Sequence, residues 1–90
     1  MSQQRAVQLT ADLTQRRADL IRIFGEKKYA EYTAVARPMI EKAMRVAADS
    51  NPLNAAILVC RKIKEDNLGE DVSTAQQFVL AAAADMAEER

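Results

Sequence analysis

Ninety residues, 49% apolar and 29% charged, with thirteen bases balanced by thirteen acids, make one small globular domain (residues 1–90) with no overall charge bias toward nucleic acid. The absence of histidine, with one cysteine and two glycines, leaves almost no ligands for zinc, haem or iron–sulfur clusters, no intramolecular disulfide and no glycine-rich phosphate loop. No stretch approaches a membrane span, and MSQQRAVQLTADL lacks the apolar centre of a signal peptide, so the expected location is the cytoplasm and no membrane partner is expected.

Residues 3–24 read as an amphipathic helix. Leu9, Leu13, Leu20 and either Ile23 or Phe24 recur at the three-and-four spacing that places them on one face. Arg16 and Arg17 fall where that stripe wants an apolar residue. One of them is expected at the stripe's edge, its stem packed and its head in water; the alternative is an arginine that reads a partner's carboxylate. Gly25 is expected to end the helix in a left-handed conformation.

Residues 26–49 form the second expected helix, with a seam of Tyr29, Tyr32, Ala36, Met39, Ala43 and Val46. Pro38 interrupts it, removing a backbone donor and crowding the preceding turn. Because Arg37 is no capping residue and the seam keeps its phase, a kinked continuous helix is favoured over two separate ones. The tyrosines read most simply as core, otherwise as anchors of a protein interface. Met39, Met44 and Met86 fall at core spacing and read as gap-fillers.

Asn51 and Pro52 supply a cap and a first-turn proline for a third helix over 52–66. Its run Ile57-Leu58-Val59-Cys60 is apolar on every side, which predicts the central, buried element of the fold, or one whose second face meets another subunit. The helix is expected to stop near Asn67-Leu68-Gly69. A fourth helix over 73–89 opens with Ser73 and Gln76 as a capping box and packs through Ala75, Phe78, Val79, Ala82 and Met86. Asp85, Glu88 and Glu89 oppose the dipole at its C-terminus, so the last turn is expected to fray.

The expected fold is therefore all-α, a small four-helix up-down bundle. At 1.5 Å per residue its first two helices would be about 30–36 Å long and its last two about 22–25 Å. A long hairpin on a short one leaves apolar seam uncovered, and a chain this size buries only about 60–65% of its unfolded surface. Both point to a homodimer. Charge adds to this, because residues 1–50 hold nine bases and six acids while residues 51–90 hold four and seven. A basic front and an acidic back suit head-to-tail or antiparallel contact between copies.

Reactive constellations are scarce. Cys60 has no histidine to activate it and lies in the most apolar stretch, where a thiol's pKa rises. The acidic run Glu65–Asp71 does not follow EF-hand spacing, because Leu68 and Gln77 fall at ligand positions. Residues 60–80 have the helix, turn, helix order of a DNA-reading element, but their second helix has no Lys or Arg and is preceded by Glu70 and Asp71. No catalytic, cofactor or metal site is expected. The functional expectation is a non-enzymatic interaction protein, a small adaptor, regulator or assembly subunit that binds another protein through Arg16, Arg17, Arg22, Lys27, Lys28, Tyr29 and Tyr32. The alternative is nucleic-acid binding through the Arg16–Lys28 patch, with the tyrosines stacking on bases.

Overall fold

Gly25 is the whole connection between the first two helices. The computed structural model describes residues 2–89, with side chains from Leu13 to Glu89, as four helices: α1 Ser2–Phe24, α2 Glu26–Ala47, α3 Pro52–Asp66 and α4 Ser73–Glu88. These bounds lie within two residues of those expected from the turns. Leu9 of the expected α1 stripe lies outside the described side chains.

The packing is that of an up-down bundle. Arg17 meets Glu88 while Leu20 meets Phe78, so α1 and α4 run antiparallel. Met39 and Ile63 share one groove, and Val46 and Leu58 the next, so α2 and α3 are antiparallel as well. The chain's Cα radius of gyration is 12.9 Å.

Each turn has a local chemical cause. At the first joint the Gly25 N–H bonds Ile21 O at 2.8 Å, closing α1, and its carbonyl accepts from Tyr29 N at 3.0 Å, opening α2. Doing both at one residue requires φ 90° and ψ 156°. That extended, positive-φ conformation belongs to glycine almost alone, and it differs from the left-handed helical cap expected from the sequence. After α2, Ala48 N bonds Arg45 O and Asp49 N bonds Met44 O, a Schellman pair with alanine rather than glycine in the left-handed position. Asn51 Oδ1 accepts from Leu53 N at 3.0 Å and Pro52 takes the first helical position, as expected.

At α4 the capping expectation is corrected. Ser73 is the first helical residue, not the cap, and Asp71 Oδ1 accepts from both its N–H and its hydroxyl at 3.0 and 2.7 Å. Gln76, freed from a capping role, donates to Cys60 O at 3.1 Å and fastens α4 to α3. The α2 helix passes unbroken through Pro38. Ala34, whose carbonyl would have accepted the missing proline N–H, and Pro38 itself are both exposed, so water can take the orphaned acceptor.

The central element is α4, not α3. It packs on each of the other three helices and buries Phe78, Val79, Ala81, Ala82, Ala83, Ala84 and Met86. Alanines suit this place because a helix with methyl side chains lets three neighbours approach closely. In α3 only Pro52, Ala55, Ala56 and Val59 are buried, whereas Ile57 is 52% and Leu58 43% exposed. Successive helical residues turn by about 100°, so a run of four apolar residues must place some on the outer side. The α2 seam is corrected in the same way. Its buried line is Thr33, Ala36 and Ile40, while Met39 and Val46 are exposed. Met39 is thus no core gap-filler, and Ala75 of the expected α4 face is exposed too.

The resulting core is small. Among the described residues Ile40 is the one large side chain with no measurable exposure, set among alanines, valines and Met86. All four aromatic residues of the chain gather in a second cluster, where Phe24, Tyr29 and Tyr32 surround Phe78 at ring-centroid distances of 5.3, 6.1 and 5.0 Å. Buried Thr33 donates its hydroxyl to Tyr29 O at 2.8 Å, and among the described residues no buried side-chain N or O lacks a hydrogen bond.

Candidate functional site

Two groups of side chains stand out: an ionic cluster at the C-terminal end of α4, and an apolar face along α2 and α3 that the first turns of α4 complete. In the first, Arg17 occupies the α1 stripe position between Leu13 and Leu20. Its guanidinium bonds Glu88 twice, at 3.0 and 2.7 Å, and also donates to Asp85. Tyr29 donates its hydroxyl to the other oxygen of Asp85 at 2.9 Å, and Arg37 forks onto Glu89 at 2.9 and 2.7 Å.

Bidentate arginine–carboxylate pairs are the stronger kind of ion pair. Their effect shows in the proton affinities. The arginine bonds hold the Glu88 and Glu89 carboxyls below the usual glutamate range, and burial followed by the bond to Asp85 pushes the Tyr29 hydroxyl above its ordinary value. The three acids that oppose the α4 dipole are therefore tethered to α1 and α2 rather than free. Arg37 was not singled out in the sequence; the signal that could have found it is three acids at one helix end with no base on the same helix.

This arrangement joins the basic first half of the chain to its acidic second half within one molecule. Of the residues expected to face a partner, Arg17 and Tyr29 are engaged in this cluster, and Arg22 pairs with Asp19 at 3.1 Å on the surface. Arg16, Lys27 and Lys28 are exposed. Tyr32 belongs to the second site.

That second site is a pair of open grooves along α2. One, of about 410 Å³, is lined by Phe24, Tyr32, Val35, Met39, Ile63 and Phe78 among others, with no charged residue. The other, of about 470 Å³, runs between Met39, Val46, Leu58 and Val59, with Lys42 and Lys62 as its only charges. Met39 lines both, so the two grooves adjoin at that residue. From Tyr32 to Val46 they follow fourteen residue steps of α2, about 21 Å at 1.5 Å each. Val35, 67% exposed, and Val46, 79% exposed, stand along them.

Burial pushes the Cys60 thiol up, and its hydrogen bond goes to Gln76 O at 3.6 Å. Among the described residues no group of three or more acids and cysteines is arranged to hold a metal ion, and no helix is long and apolar enough to cross a membrane. Comparison with protein-family models, with curated proteins and with solved structures finds no match to this chain.

Proposed function

We propose that this chain is a non-enzymatic protein-interaction module, a small adaptor, regulator or assembly subunit, whose partner seats helical surface against the α2–α3 face. The single observation carrying this reading is the pair of apolar grooves that adjoin at Met39, one beside Tyr32 and Val35, the other beside Val46 and Leu58. A small apolar ligand would need a compact, enclosed pocket with a few convergent polar groups. Two adjoining grooves spanning about 21 Å, open along their side and nearly free of polar groups, instead suit three to four turns of a partner helix.

Protein is favoured over nucleic acid because the basic patch is partly committed. Arg17 and Arg22 are paired with acids of the same chain, the Tyr29 hydroxyl is held by Asp85, and the Tyr32 ring packs edge-on against Phe78. These groups would have to leave existing partners before meeting a phosphate or a base.

The test compares wild type with Val35→Asp/Met39→Asp as affinity baits, after circular dichroism has established equal helicity. Proteins held by the wild type and released by the double substitution support the reading. An identical set held by both overturns it.

A further inference from the structure

We infer that the occupant of the α2–α3 face is a second copy of this chain, with the two α2 helices antiparallel across a two-fold axis near Met39. The inference deepens the proposed function and rests on its docking face.

The first support is a second seam on α2. Lys28, Tyr32, Val35, Met39, Lys42 and Val46 recur at intervals of four, three, four, three and four, which keeps them on one side of the helix. None of these six is buried, because the core takes the neighbouring line through Thr33, Ala36 and Ile40. One helix thus carries two lines of side chains, of which the core takes one and leaves the other largely exposed.

The second support is that the face complements itself. In a two-fold contact the same patch meets its own reverse. Turned about Met39, the seam sets Tyr32 against the partner's Val46, with Met39 opposite Met39. The flanking charges agree with this direction. Glu31 lies at one end of the seam's open flank, with Lys42 and Arg45 toward the other, and none of the three has an ion pair among the described residues. Antiparallel helices centred on Met39 bring Glu31 within two residues of the level of the partner's Arg45. The zero net charge of the chain adds no bulk repulsion between copies.

The third support is need. Among the described residues the one fully buried large side chain is Ile40, and a domain of this size has little core to spare. Covering the face would enclose Val35, Met39, Val46 and Leu58 as well.

Sedimentation equilibrium on the purified full chain decides the matter. The expected mass is twice 10.0 kDa at micromolar concentration. Met39→Asp should restore the single mass with unchanged helicity. Glu31→Arg and Arg45→Glu should each weaken association at least about tenfold, and the two together should recover most of it. A mass of 10.0 kDa at every concentration, or a dimer indifferent to Met39→Asp, overturns the inference. So does a dimer that the double charge exchange fails to rescue. A monomeric chain that still releases captured proteins on Val35→Asp/Met39→Asp replaces the second copy by another partner and leaves the docking face standing. A monomer whose captured set is unchanged overturns both.

Discussion

Arg17 of α1 and Glu88 of α4, 71 positions apart in the chain, meet through two parallel hydrogen bonds of 3.0 and 2.7 Å. The same guanidinium holds Asp85, so one arginine on the apolar stripe of α1 fastens the end of the central helix. Replacing it with alanine removes a packed stem and leaves Asp85 with only the Tyr29 hydroxyl. Arg17→Ala is expected to cost about 1–3 kcal/mol, between the value of an exposed pair and that of a buried one. Arg16→Ala, at an exposed neighbouring position, should lie within about 0.5 kcal/mol of wild type. Urea unfolding of both at one protein concentration checks this, and equal losses would contradict the assignment.

The same cluster sets a pH dependence. Glu88 and Glu89 titrate below the ordinary glutamate value of 4.5 in the folded chain. A depressed folded pKa stabilises the fold at pH above the unfolded value, and that contribution is lost as the solution is acidified through the folded one. Thermal midpoints should therefore hold from neutrality down to about pH 5 and fall below it. Replacing both arginines, Arg17→Gln with Arg37→Gln, should flatten the acid limb. An unchanged slope would mean that these carboxylates are indifferent to their partners.

Tyr29 gives the opposite limb. Its hydroxyl pKa is raised above the ordinary value of 10.0, chiefly by burial and then by its bond to Asp85. A raised folded pKa stabilises below the unfolded value and is lost as pH rises toward the folded one. Stability should decline above about pH 10, and Tyr29→Phe should remove part of that decline at a cost near 1 kcal/mol at neutral pH. Alkaline melts of the two proteins separate the outcomes; parallel curves would refute the role given to the hydroxyl.

Two backbone positions should respond to small substitutions with opposite signs. Gly25 holds φ 90° and ψ 156° with open space where a β-carbon would go, so the penalty of Gly25→Ala is conformational alone, about 1–3 kcal/mol. Ala48 holds φ 53° at the end of α2, and Ala48→Gly should gain about 0.5–1 kcal/mol by relieving that conformation. Paired chemical denaturation reads both signs. A neutral Gly25→Ala would mean the joint can relax.

Much of the architecture was legible because punctuation is local. Gly25, Asn51-Pro52 and Gly69 act through their own dihedrals and donors, which the residue names state. Rotational placement was not, because Met39 and Ile40, or Leu58 and Val59, are equally apolar, and the choice of which turns inward depends on what arrives from elsewhere. The alanines of α4 carried the least signal and took the centre, since small side chains become core only when other helices close on them. Asp85, Glu88 and Glu89 read as misplaced against the helix dipole until Arg17, Tyr29 and Arg37 are seen opposite them.

That rotational choice can be tested directly at Ile40 and Leu58. Ile40→Ala removes branched volume from the tightest part of the core, between Ala36 and the α4 alanines, and should cost about 2–5 kcal/mol. Leu58→Asp would be ruinous if α3 were enclosed on all sides, because an unpaired carboxylate would enter the core. With Leu58 43% exposed and its side chain at the groove beside Lys42 and Lys62, the aspartate instead meets water and two bases. The expected result is a Leu58→Asp protein with wild-type helicity but weakened association, set against an Ile40→Ala protein that melts early. Circular dichroism melts together with sedimentation resolve the two effects. Loss of helicity in Leu58→Asp would return α3 to the centre of the bundle, whereas a folded monomer assigns Leu58 to the contact surface.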